Sequence, residues 1–344
     1  MRRSLLRLSI PFREPFATSG GVVGARDLLL LRLEDPEGVV GHGEAAPFEP
    51  YDGVPIERVA AALREEPAAD APPHARAAEE MARLDLRGRR DGYPLGEPGA
   101  EAIAVNRTLA AGPPEEVAAR AHEGARAGYS CFKLKVGLPD DEERVAAVRE
   151  AIGPWPALRL DANGAWSVEE ALERIAVLAR FDLQLVEQPC RTLAELVEVR
   201  REVEVPIAAD EPIRSADDVH AAADAGACDV VNVKLAGAGG FTAAREALRT
   251  AADRGLERFL SSTLDGPWGI AAALQLAASE GLSLACGLAT LDLFDAALAR
   301  ALPAPEAGLQ AVPQGPGLGV AVEEETLAEV VVGGGAPQRG LKEP

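Results

Sequence analysis

Between Ser130 and Leu235 the chain sets charge at the ends of short apolar runs. Lys133 and Lys135 lie in CFKLKVG, Asp161 and Asn163 in LRLDANGAW, Glu187 in LVEQP, Asp210 and Glu211 in IAADEP, and Lys234 in VVNVKLAG. Three carboxylates held close and unpaired raise one another's pKa, and a hard divalent cation removes that cost. Oxygen ligands without histidine or cysteine favour Mg2+, with Mn2+ as a substitute. Asn163 and Glu211 follow at the same ends and suit a supporting layer or an extra ligand. Lys133 and Lys135, two apart on a strand, leave the same face. Two ammonium groups that close depress each other's pKa, which can leave one able to act as a base near neutral pH. Lys234 comes four strands later, across from Lys135. A carboxylate substrate gripped by the metal would meet an amine on each face, the arrangement that abstraction of a proton α to a carboxylate requires.

Such residues need a scaffold that brings five segments to one opening. The steps from Lys135 to Asp161, Glu187, Asp210 and Lys234 are 26, 26, 23 and 24 residues. A strand, a loop, an amphipathic helix and a return loop occupy about that length. IAVNRTL (103–109) reads as a bridging strand, followed by strands CFKLKV, LRLDA, LQLVEQ, PIAAD, VVNVKL, RFLSST and LSLACGL. Helices are expected between them, over 140–152, from Ser167, Thr192, Ser215 and Phe241, and over 268–278. Ser167 with Glu170 three residues on forms a capping-box pattern. The series predicts an α/β chain with a (β/α)7β TIM-like barrel over 101–308 rather than an open doubly wound sheet. No GxGxxG follows an early strand and no GxxxxGKS or GxxxxGKT occurs, so nucleotide-binding folds have no support. Later in the series, the hydroxyls and N–H groups of Leu260–Thr263 could hold an anionic or carbonyl group distant from the metal. Cys286-Gly287-Leu288 ends the next strand, where glycine permits close approach of a ligand.

Residues 1–100 lack this rhythm. SLLRLSIPF, DLLLLRLED and VVGHGEAAP read as three antiparallel strands, joined with helices over 55–65 and 74–86 into an α+β domain. PFATSGGVVGA (15–25), between two strands, suggests a mobile loop over a site mouth or an ordinary long hairpin. The segment 309–344 is expected to pack back on this first domain. Of 35 basic side chains 31 are arginine, and the lysines are Lys133, Lys135, Lys234 and Lys342. A chain that uses arginine almost everywhere keeps three lysines, which can lose a proton, for strand-like segments.

The net charge of -20 argues against nucleic acid or an anionic membrane as partner, but leaves room for a small carboxylate substrate at a locally cationic site. Apolar runs are too short or broken to span a bilayer, and no leader pattern opens the chain. Four widely spaced cysteines read as buried reduced thiols. A cytoplasmic protein is expected, with homo-oligomerisation left open.

KLKVG, DANGAW, VEQP, AADEP and NVKLAGAGG, in this order, resemble the muconate-lactonizing branch of the enolase superfamily, and PFATSG and GHGEAAPF resemble its N-terminal capping domain. The resemblance implies that Lys135 is the general base, that Lys133 tunes it, and that Lys234 stands on the opposite face. It also implies that Asp161, Glu187 and Asp210 bind Mg2+. The runs SSTLDGPWGIAAALQLAA, ACGLATLDLF and VPQGPGLGV are similar to the o-succinylbenzoate synthase family, whose members eliminate water from a hydroxycyclohexadiene carboxylate. That likeness implies a succinyl pocket at Ser262, Gly287 and Leu288, with the loop around Ser19 closing above. Dipeptide epimerases carry an acidic DxD on the last barrel strand, where this chain reads ACGLAT, which argues against a dipeptide; N-succinylamino acid racemases remain an alternative.

Overall fold

The computed structural model describes residues 1–18, 21–97, 99–110 and 112–332. Strands β1 (Arg2–Thr18), β2 (Gly21–Glu34) and β3 (Val40–Ala45) form an antiparallel sheet in that order. The leucine run of β2 is buried on both faces. Leu29, Leu31 and Leu33 pack with α2 (Ile56–Ala62) and α3 (Pro73–Asp91), while Leu28 and Leu30 join the main core. Burying each leucine is worth roughly 1.5–3 kcal/mol, so neither face tolerates a polar residue without a partner. Gly41 and Gly43 explain how closely α3 lies on β3. A Cβ on Gly43 would stand 1.8 Å from the Ala78 carbonyl oxygen, and one on Gly41 2.2 Å from that of Ala82. Before α2, the one-turn helix α1 (Glu49–Asp52) follows the GHGEAAPF motif.

The parallel sheet contains β5 (Arg107–Leu109), β6 (Cys131–Lys135), β7 (Ala157–Asp161), β8 (Leu183–Glu187), β9 (Ile207–Ala209), β10 (Val230–Val233) and β11 (Glu257–Leu260), neighbours in sequence order. Helices α4 (Pro114–Arg126), α5 (Asp141–Ile152), α6 (Val168–Leu178), α7 (Leu193–Glu202) and α8 (Ala216–Ala225) alternate with them. The short α9 (Leu235–Ala238) precedes α10 (Phe241–Asp253), and α11 (Pro267–Ser279) follows β11. The box expected at Ser167 is present, with the Glu170 amide donating to Oγ of Ser167 at 3.3 Å.

Two parallel bridges, Ser261 with Gly287 and Val105 with Cys286, join the edges of the sheet into a ring. The Gly287 amide donates to the Leu260 carbonyl at 2.8 Å, and the Cys286 amide to that of Ala104 at 2.8 Å. LSLACGL, expected as a full strand, is thus reduced to these bridging residues. IAVNRTL divides into β4 (Ala102–Ala104) and β5 because the chain changes partners there. β4 pairs antiparallel with β12 (Leu309–Ala311), while β5 pairs parallel with β6. The stretch 15–25 is mostly paired backbone rather than a loop, since Phe16, Ala17 and Thr18 pair with Val23, Val22 and Gly21. Near the end, α12 (Glu324–Ala328) precedes Val331, which bridges Leu8 of β1, and the Leu318 amide donates to Asp85 of α3 at 2.7 Å. All four cysteines are buried and unpaired. Among the described residues, no helix is long and apolar enough to cross a membrane.

Candidate active site

Strand register gathers the charged residues before any side chain is considered. Lys135 of β6 lies opposite Asp161 of β7, and Asp161 opposite Glu187 of β8. Glu187 in turn faces Ala208 of β9, two residues before Asp210 on the same side of the strand. Asp161 and Glu187 have no exposed surface and Asp210 has 4%, so their charges must be balanced inside the protein.

The lysines supply that balance. Lys133 Nζ lies 2.8 Å from Asp161 Oδ2 and donates to Glu187 Oε1 at 2.8 Å. Lys135 Nζ donates at 2.6 Å to both Asp161 Oδ2 and Asn163 Oδ1. Lys234 Nζ donates to Asp210 Oδ1 and sits 4.8 Å from the centre of the Tyr51 ring. Asn163 Nδ2 continues the network to Glu211 Oε1 at 3.0 Å. All the lysines and acids expected at the site therefore meet in one cluster.

Its electrostatics differ in one respect from the expectation. Burial works against the charge on Lys133, but Asp161, Glu187 and Asp210 outweigh it and hold the ammonium well above its ordinary pKa. The depression expected from a neighbouring ammonium is not found at Lys133, because its ammonium faces carboxylates rather than water. Burial likewise opposes ionisation of Asp161, yet Lys133 and Lys135 hold its pKa well below the carboxylate range. Burial raises Glu187, with Asp161 and Asp210 adding to it. Burial, then Asp210 and Asp161, pushes Glu211 up to about 7.

Among the described residues no three acidic, histidine or cysteine side chains form a ready metal cage. The carboxylates are turned to the lysines. The set nevertheless suits a hard divalent cation in chemistry: every donor is oxygen, all are buried, and Oε2 of Glu211 is buried without a hydrogen-bond partner. A cavity of about 260 Å3 lined by Arg13, Asp292, Arg300 and Gln310 contains none of these groups.

At the opposite side of the ring, Ser262 Oγ lies 2.8 Å from Thr290 Oγ1, and the Ser262 amide donates to Gly287 at 3.1 Å. A Cβ on Gly287 would come 2.8 Å from that of Ser261, so any larger residue would push the two strand ends apart. Leu288 is buried. Ser19 lies outside the described residues.

A model of the family described as enolase C-terminal domain-like matches residues 116–326. An o-succinylbenzoate synthase of Thermobifida fusca is 38% identical over 336 residues, covering 96% of this chain and 93% of the relative. The chain belongs to the enolase superfamily. A 2-chloromuconate cycloisomerase of Rhodococcus opacus superposes with a TM-score of 0.89 at 27% identity, over 96% of this chain and 99% of the other. A dipeptide epimerase of Enterococcus faecalis, solved with Mg and L-Leu-L-Tyr, gives 0.84 at 28% identity, over 93% of this chain and 99% of that one.

This enolase-superfamily chain also brings residues to the site that the motifs did not single out. Tyr51 of α1 donates from its hydroxyl to Asp210 Oδ2 at 3.1 Å. Asn232 donates to Glu187 Oε1 at 2.9 Å and accepts from Ser261 Oγ at 2.8 Å. Gln188 accepts from the Asp210 amide at 2.8 Å. Asn232 was legible in principle, since it lies two positions before Lys234 and so shares its strand face. Tyr51, 159 residues from its partner, left no such signal.

Proposed function

We propose that the protein is an o-succinylbenzoate synthase, a Mg-dependent carbon-oxygen lyase. It would convert 2-succinyl-6-hydroxy-2,4-cyclohexadiene-1-carboxylate to 2-succinylbenzoate by syn elimination of water. The observation that carries this reading is the amines of Lys135 and Lys234 entering the same buried carboxylate row from different strands. Likeness over the full chain to the T. fusca enzyme supports the choice of reaction.

In this reading Asp161, Glu187 and Asp210 would hold Mg2+, with Mn2+ as a substitute, and Asn163 and Glu211 would orient them. When bound, the ion supplies positive charge against the substrate carboxylate as the ene-diolate develops. Lys135 takes the proton from the carbon bearing that carboxylate, then returns it to the departing hydroxyl on the same face, so that water leaves and the ring becomes aromatic. Lys133 keeps the neighbouring acids in register, and Lys234 places a fixed cation over the other face of the ring. Ser262, Gly287 and Leu288 would line the succinyl end. The region 1–100 would cap the barrel of 101–308, with the described part of 309–344, up to residue 332, packed against the cap, in a cytoplasmic protein of the menaquinone pathway.

The alternative is racemisation of an N-succinylamino acid, or epimerisation of a dipeptide, by the same two lysines. Cys286, Gly287 and Leu288 offer no acid for a dipeptide ammonium group. The deciding assay gives the purified protein Mg2+ and the cyclohexadiene substrate, and compares turnover with deuterium exchange at the α-carbon of N-succinylamino acids and dipeptides. Dehydration should exceed exchange by about tenfold or more, a difference of about 1.4 kcal/mol in transition-state stabilisation. Efficient exchange with negligible dehydration would transfer the assignment to the racemases.

A further inference from the structure

A second buried polar cluster lies between the N-terminal sheet and the loop after β11, outside the lysine and carboxylate network. Pairing of β2 with β3 sets Glu44 opposite Leu30, and Arg26 is four residues before Leu30 on the same strand face. Both polar side chains therefore point where Leu28 and Leu30 point, towards the main core. Both are buried there, at 3% and 2% exposure, so each must find partners within the protein.

Those partners lie in two loops, the one after β3 and the one after β11. Arg26 donates from Nη2 to the Thr263 carbonyl at 3.1 Å and to that of Ala46 at 2.7 Å, and from Nη1 to that of Pro47 at 2.7 Å. Glu44 Oε1 accepts from the Gly266 amide at 2.7 Å, capping α11 from 222 residues away. Asp265 Oδ1 accepts from the Thr263 amide at 3.1 Å. A Cβ on Gly266 would stand 2.6 Å from Glu44 Oε2, so glycine is what lets the carboxyl reach the helix end. Between these anchors Leu264 is held at φ +60°, a left-handed conformation that a branched side chain avoids unless its surroundings impose it. Leu264 is two residues beyond Ser262.

We propose that Arg26 and Glu44 are positioning residues, which hold the 262–266 elbow in its left-handed bend and so fix where Ser262 and Thr263 meet the end of the substrate remote from the metal. The substrate part of this inference rests on the functional reading above; the mechanical part does not. Without the guanidinium, the Thr263 carbonyl loses its anchor, Leu264 relaxes to negative φ, and the hydroxyls at the strand end move. The lysines and acids of β6–β10 are untouched, so binding suffers and chemistry does not.

The test compares the full chain with Arg26→Met, Leu264→Gly and the double variant. Glycine adopts the bend unaided, so it should rescue the loss of the clamp. In Arg26→Met, amides of 262–266 should exchange hydrogen about tenfold faster, and KM should rise about tenfold with kcat within about threefold. In the double variant both should return to within about threefold of wild type. Unchanged exchange and KM in Arg26→Met, or equal losses in single and double variants, would overturn the proposal. Should Arg26→Met fail to fold, Glu44→Ala, which frees the Gly266 amide, carries the same comparison with Leu264→Gly. A wild-type protein inactive on the cyclohexadiene refutes the enzyme assignment alone, because hydrogen exchange needs no substrate.

Discussion

On the β6–β8 side of the ring, Lys133, Lys135, Asp161 and Glu187 neutralise one another across neighbouring strands. On the β11 side, Ser262, Thr263 and Gly287 present hydroxyls and backbone, and their turn is held by Arg26 and Glu44 from the other end of the chain. The first side is set by register alone, because adjacent parallel strands cannot shift without moving every inward side chain to the other face. The second side is set by long-range polar contacts and a left-handed leucine. The contrast separates a rigid half suited to chemistry from a half whose shape another part of the molecule can adjust, which suits recognition.

Removing one amine from the rigid half should have the largest effect. Lys135→Ala is expected to lower kcat by about 1,000-fold or more while Mg2+ affinity, followed by calorimetry, is largely kept. Near-normal turnover would end its role as the base and with it the division between the halves. On the other side, Ser262→Ala should act on KM, by about fivefold, with kcat nearly constant, as loss of one neutral hydrogen bond implies. A fall in kcat with steady KM would mean that this side takes part in the chemical step.

The smallest effect concerns stability. Burial, reinforced by Asp265, pushes Glu44 up to about 8. The native carboxyl keeps its proton at pH values where the unfolded chain has lost it. Its contribution is therefore full below the unfolded pKa and is lost as pH rises towards about 8. Glu44→Gln is neutral throughout, so its urea stability should decline less between about pH 5 and about pH 8. Parallel curves for variant and wild type would show that Glu44 ionises normally.

The same contrast explains what could be read from the residues alone. Lys135, Asp161, Glu187, Asp210 and Lys234 were legible because each closes an apolar strand at a nearly constant spacing, and local pattern decides such strands. Register then did the rest. Cys286 and Gly287 were misjudged as part of a full strand, since two bridges suffice to close the ring and nothing in LSLACGL marks how few are made. Tyr51, Arg26 and Glu44 carried no signal, because their partners lie 159, 237 and 222 residues away and only the folded chain brings them together. The raised pKa of Lys133 was equally hidden, as sequence spacing gives the neighbouring lysine but not the carboxylates that face it.

The pairing of Lys133, Lys135 and Lys234 with the acidic row has a consequence for the order of events in the protein's life. The chain brings its own counter-ions, so the strands can assemble without a divalent ion, and on the proposed function such an ion would enter late, in place of ammonium contacts. A chelator should then strip the ion and leave the far-ultraviolet circular dichroism unchanged. Collapse of that spectrum would mean that the ion is a partner in folding rather than a guest.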